Sequence, residues 1–277
     1  MKKKVLLIAA LFTAGFSFAQ DQMTSKKGTP ILPEAGEYAI GFDASNLLNY
    51  GGNLLNGTSG NSLNNLGDVR ANTIYGKYFV DANKAYRGML QLGFGSTTNK
   101  TVVNDLSSGA AAGATVEDEA SSSNFGFAVG GGIEMRQGKG RLQGVYGPMV
   151  MISIGSSSTE NTFGNSLDDQ FNADFPAPVA GDETTRTTET SAGSTFGLML
   201  GGFAGVEYFF APKMSLGAEI QYGINFSSTG NGETVTETRS FDGTNTTTTS
   251  TTAETGGSSS FSLGQTPNTM ITLNFHF

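Results

Sequence analysis

Three glutamates, one arginine and one lysine are the residues of this chain whose types and spacing could do chemistry together. Glu134, Glu207, Glu219, Arg87 and Lys77 each sit out of phase with the apolar residues of an alternating stretch. In extended backbone, all five therefore project to the side opposite the apolar one. Carboxylates gathered in a confined space are the raw material of general acid–base catalysis. Carboxylates beside Arg87 and Lys77 are equally what a structural ion-pair network needs, because charges removed from water must be paired. The structural reading is the one adopted.

His276 is the only histidine, and there is no cysteine. That count excludes a multi-histidine metal centre, thiol catalysis and a disulfide framework. His276 lies on the last stretch of the chain and is read as a polar residue of an interior or interface. The segment "SLDDQFNADFPAPVAGDE" gathers Asp168, Asp169, Asp174, Asp182 and Glu183. Calcium takes such oxygens, but the regular acidic spacing and fixed glycine of a calcium loop are missing. It is read as a solvated acidic loop. No catalytic residue, metal or cofactor is expected.

The elements that would position these residues follow from the two ends and the pattern between them. "MKKKVLLIAALFTAGFSFAQ" has a basic start, a short apolar run and small residues at Ser17 and Ala19. It reads as an export signal over 1–19. Without its three lysines, 13 basic residues face 24 acidic ones, a poor balance for a nucleic-acid partner. Charged residues are only 14% of the chain, against about 25% in soluble domains.

Period-two alternation recurs in eight segments, from "GEYAIGFDA" and "RANTIYGKYFV" through "MSLGAEIQYGINF" to the terminal "NTMITLNFHF". The connections alternate between short ("DANK", "QGKG", "APK") and long (about 45–68, 96–123, 156–194 and 227–258). Glu37, Asp43, Arg136 and Arg141 join the five charges above on the face opposite the apolar residues. The expected fold is all-β: an eight-stranded antiparallel up-and-down transmembrane β-barrel over 36–277, with short periplasmic turns and four long extracellular loops. Residues 20–35 would form a periplasmic segment in which Ile31 and Leu32 call for burial.

Inward glycines (Gly126, Gly130, Gly201) beside bulky residues (Met149, Met151, Met199, Phe203) predict a filled lumen, because eight strands leave room only for side chains. The long loops, such as "DGTNTTTTSTTAETGGSSS", have a composition that alone reads as disordered. The terminal strand is expected to close against the first, with Leu273, Phe275 and Phe277 on the lipid side. In "SNLLNYGGNLLN", Leu47, Leu48, Leu54 and Leu55 form the best candidate for contact with lipid or a partner.

The stretches "GEYAIGFDAS", "NLLNYGGNLLNG", "GKYFVDANKAYRGMLQLGFG", "GVEYFFAPKMSLGAEIQYG" and "LNFHF" resemble the small outer-membrane β-barrel proteins with the OmpA-like transmembrane fold, of the Bacteroidota type. The resemblance implies residence in a Gram-negative outer membrane, contact with its lipid and lipopolysaccharide, and delivery by the barrel-assembly machinery through the terminal Phe-ended strand. No peptidoglycan-binding domain is expected. The expected role is non-enzymatic: a structural or accessory barrel, as a subunit of a larger assembly for barrel insertion, export or nutrient uptake. The alternatives are a small channel, a membrane-embedded hydrolase and a loop-mediated adhesin.

Overall fold

The computed structural model describes residues 23–44, 73–107, 109–168 and 180–277. Their structure is all-β, with ten strands and no helix. The strands are β1 (Tyr38–Asp43), β2 (Thr73–Asp81), β3 (Lys84–Asn104), β4 (Thr115–Lys139), β5 (Leu142–Thr162), β6 (Glu183–Ala211), β7 (Met214–Thr229), β8 (Gly232–Phe241), β9 (Thr246–Thr255) and β10 (Ser258–His276). Residues 1–19, expected to be an export signal, and Leu47, Leu48, Leu54 and Leu55 lie outside the described residues.

Eight strands form a closed antiparallel ring in the order β5-β4-β3-β2-β1-β10-β7-β6, with β5 pairing β6 to complete the circuit. As the alternation predicts, the last strand meets the first. Ala39 to Asp43 pair with His276 to Thr272. Closure matters because a sheet edge leaves a row of unpaired N–H and C=O groups.

The turns at one end are tight. Asp81 pairs with Lys84, Lys139 with Leu142, and Ala211 with Met214. Gly140 takes a φ of 68° and Lys213 a φ of 60°. Pro212 followed by a residue of positive φ is the type II turn pattern, in which glycine usually takes the second place. Lys213 occupies it instead, and its Nζ lies 2.5 Å and 2.6 Å from the two carboxylate oxygens of Glu37.

At the other end the segments expected to be long loops are in large part strand. β3 and β4 pair as far as Asn104 and Thr115, and β5 and β6 pair up to Glu160 and Glu189. The stretch 227–258, read from composition as loop, holds β8 and β9. β8 pairs with the upper part of β6 (Glu183–Ser191), above the level where β7 pairs with β6. The physical reason is threonine. It is β-branched and suits a strand, although it contributes no hydrophobic contrast. Cross-strand hydroxyl contacts add to the pairing, as between Thr98 and Ser121 (2.8 Å), Ser123 and Ser158 (2.8 Å), and Thr185 and Thr238 (2.9 Å).

The faces of the ring strands are inverted relative to a water-soluble domain. Large apolar residues point out, among them Leu90, Val150, Leu200, Ile220 and Ile224. Arg87, Glu134, Arg136, Glu207 and Glu219 are buried inside.

Candidate functional site

The interior of the ring is built in layers from the short-turn end upward. The lowest layer is residues 23–34. A Thr24–Pro30 bridge folds this segment back on itself, and Ile31 and Leu32 are buried against Phe209, with Met23 beside them. Lys213 fastens it: its backbone N–H donates to Ile31 O (3.3 Å) and its Nζ to Leu32 O (3.2 Å). The burial that Ile31 and Leu32 call for is thus met within the chain, at the mouth of the ring.

Above it, Phe79 and Phe209 flank the His276 ring at centroid distances of 5.5 Å and 5.1 Å. The next layer is ionic. Lys77 Nζ lies 3.0 Å from Glu134 and 3.3 Å from Glu207. Arg136 Nη1 lies 2.7 Å from each of the same two glutamates. Arg87 makes a two-pronged contact with Glu219, Nη1 to Oε2 at 2.8 Å and Nη2 to Oε1 at 3.0 Å. It also reaches Glu134 at 3.8 Å, joining the two groups into one network. The five residues singled out in the sequence stand together, and Arg136 stands with them.

The network balances three cations against three anions, all largely removed from water. Glu207 Oε1 accepts two further hydrogen bonds, while Glu134 Oε2 accepts none. Ser215 Oγ donates to Glu207 Oε1 at 2.5 Å, and Asn274 Nδ2 to the same oxygen at 3.1 Å. The Arg136 guanidinium stacks near Phe79 (5.2 Å) and Phe209 (5.7 Å). Glycine leaves room for these groups. A Cβ on Gly205 would come within 2.7 Å of Glu219 Cβ.

Ser215, His276 and Glu207 lie together, and the sequence did not single out Ser215. Their order is not that of a nucleophile–base–acid relay. The Ser215 hydroxyl (3.1 Å) and the Glu207 carboxylate (3.4 Å) approach the same ring nitrogen, His276 Nε2, while Nδ1 makes no hydrogen bond. The Ser215 proton is directed at Glu207 rather than at the imidazole. With the proton on His276 Nε2, the ring donates to Ser215 and is no base for it. All three side chains are buried.

Above the ions, Tyr75, Met89, Met149, Met199, Phe203 and Met270 form one buried cluster, with Met151 packed against it. These include the bulky inward residues expected to fill the ring.

Other candidates fall elsewhere. Asp168 lies near the far end, 3.0 Å from Arg239. Asp169 and Asp174 lie outside the described residues, and no group of metal-ligating His, Cys, Asp or Glu side chains forms among the described ones. On β10, Leu273 and Phe275 pair opposite Phe42 and Ile40, on the outward face, and Phe277 stacks on Tyr38 at 6.4 Å.

The fold and interior define a class: a closed antiparallel ring whose charges are packed within and whose apolar side chains face out. No protein-family model, no curated protein and no solved structure matches the chain.

Proposed function

We propose that the protein is a non-enzymatic β-barrel of a Gram-negative outer membrane with a plugged lumen, serving a structural or accessory role within a larger outer-membrane assembly. The observation that carries this reading is the outward face. From Tyr86 to Phe94 on β3, Phe125 to Met135 on β4, Phe196 to Phe210 on β6 and Leu216 to Phe226 on β7, no outward position is charged. Water offers no reason for such a surface; hydrocarbon does.

The height of the surface also fits. Tyr38, Tyr78, Tyr86 and Tyr208 lie at its lower margin, and Phe94, Phe125, Phe196 and Phe226 at its upper one. Leu216 and Phe226 of β7 span ten residue steps. At about 3.3 Å per residue and a tilt of roughly 40°, that is about 25 Å of height, the thickness of the apolar band of outer-membrane barrels. The short turns would then be periplasmic and the long hairpins extracellular. Lipid and lipopolysaccharide would contact the band, and the Leu273–Phe275–Phe277 face would address the barrel-assembly machinery.

The filled interior favours a structural role over a channel. The hairpins beyond the upper girdle, including β9 with every residue exposed, offer the surface for a partner. Gentle detergent extraction of the native protein, with identification of what co-purifies, tests the accessory role. Recovery of the barrel alone would count against it. Conductance separates plug from pore. In planar bilayers the protein is expected to show no sustained current, and Ile31→Ser with Leu32→Ser, which loosens only the lowest layer, is expected to leave it closed because the ion network lies above. A steady large conductance in the unaltered protein would establish the channel reading instead.

A further inference from the structure

The interior and exterior of the ring use different aliphatic residues. Among the large apolar side chains exposed on the outside are many leucines and isoleucines and no methionine. The buried aliphatic residues of the layer above the ions are all methionine: Met89, Met149, Met199 and Met270, with Met151 half-buried beside them. Two further methionines, Met135 and Met214, share the outward face with Tyr146 and Phe275.

Ladder register makes these methionines neighbours. Met151 and Met199 are direct cross-strand partners on β5 and β6, and Met149 is two residues along on the same face. On the other side of Met151 stands Gly130, and beyond it Met89. A Cβ on Gly130 would lie 3.1 Å from Met89 Sδ, so the Met89 thioether lies across the glycine, on the side of Met151. Met270, across the ring, accepts the Tyr75 hydroxyl hydrogen on its sulfur. Gap-filling explains a flexible side chain at one or two irregular places. It does not explain why five of the seven methionines on the described ring strands collect in one interior layer.

We propose that this layer is a binding site for a soft monovalent cation, Cu(I) or its analogue Ag(I), held by the Met151 and Met199 thioethers with Met149 and Met89 as further donors. Neutral thioether sulfur selects such ions over hard cations. The nearest fixed positive charge, Arg87, is neutralised by its two contacts with Glu219. Entry is from the long-hairpin end, where Met151 is only partly buried; the ion network and the 23–34 segment close the other end. Thioethers carry no titrating proton, so affinity is independent of pH, unlike a site of His, Cys or carboxylates. The inference rests on the ring and its interior, and not on the membrane reading.

The test is anaerobic Cu(I) titration of the folded protein in micelles against a chromogenic chelator, with methyl-labelled methionine followed by NMR. One equivalent is expected to bind equally at pH 5.5 and pH 7.5. The Met151 and Met199 methyl signals shift, while those of Met135 and Met214 do not. Met151→Leu with Met199→Leu conserves volume and is expected to keep the fold while weakening binding by at least the roughly tenfold that even outer-shell changes cause at metal sites. Binding by that variant as tight as the parent's, or unmoved Met151 and Met199 signals in the folded parent, overturns the proposal.

Discussion

Glu207→Ala is expected to cost about 3–5 kcal/mol of folding stability, the range for removing one partner of a buried ion pair. Against a total of roughly 5–15 kcal/mol, that is enough to leave much of the protein unfolded. The reason is arithmetic of charge. Glu207 stands against Arg136 at 2.7 Å and Lys77 at 3.3 Å, and without it three buried cations face two anions. Ser215 and Asn274 lose their acceptor as well. The check is urea unfolding of the refolded protein in micelles, followed by intrinsic tyrosine fluorescence. Adding Lys77→Met restores two cations against two anions and is expected to return about 1–3 kcal/mol, a coupling typical of residues in one network. If the double variant were no better than the single one, the network would not be acting as a balanced unit. The exposed pairing of Lys100 with Glu117 offers a control: both side chains are half in solvent, and Glu117→Gln is expected to have no measurable effect.

The second large effect concerns the outer face. Leu200 lies near mid-height on β6, between Phe196 and Tyr208, and is 51% exposed. Leu200→Arg is expected to destabilise the protein in lipid vesicles by about 2–4 kcal/mol, the depth-dependent cost of arginine at the bilayer midplane. Phe94→Arg, at the upper girdle, is expected to cost only about 0–1 kcal/mol. A water-facing Leu200 would give the opposite result, since trading an exposed leucine for arginine in a soluble protein is close to neutral. Fold stability measured in vesicles for both variants separates the two accounts.

Much of this was legible in the chain because each ring strand meets two unlike environments. Leu216, Ile220 and Ile224 alternate with Ser215, Glu219 and Gln221, and that contrast marks the strand, its faces and the inward charges. The same logic located Arg87, Glu134, Glu207 and Glu219 on one side, whereas on β2 Lys77 itself helps to set the phase. Which glutamate meets which cation was not legible in full, because that depends on the stagger of the ring. Arg136 reaches Glu207 only because β4, β5 and β6 are consecutive neighbours at a particular register. Ser215 gave no signal, since a lone serine beside a turn has none. The strands beyond the girdles were missed for the opposite reason. β9 is "TTTTSTTAET", exposed on every residue, so its two faces meet the same solvent and no alternation is written into it.

The most direct test of the central claim uses the absence of cysteine in the chain. Single cysteines placed in turn from 214 to 226 along β7 carry a spin label, and its access to dissolved oxygen and to a water-soluble nickel chelate is measured in vesicles. Oxygen access is expected to alternate with period two, high at 216, 218, 220, 222 and 224 and greatest near the middle, with the nickel complex excluded there. Free access of the nickel complex to the label at 220 would contradict a lipid-facing wall and with it the reading of this protein as a membrane barrel.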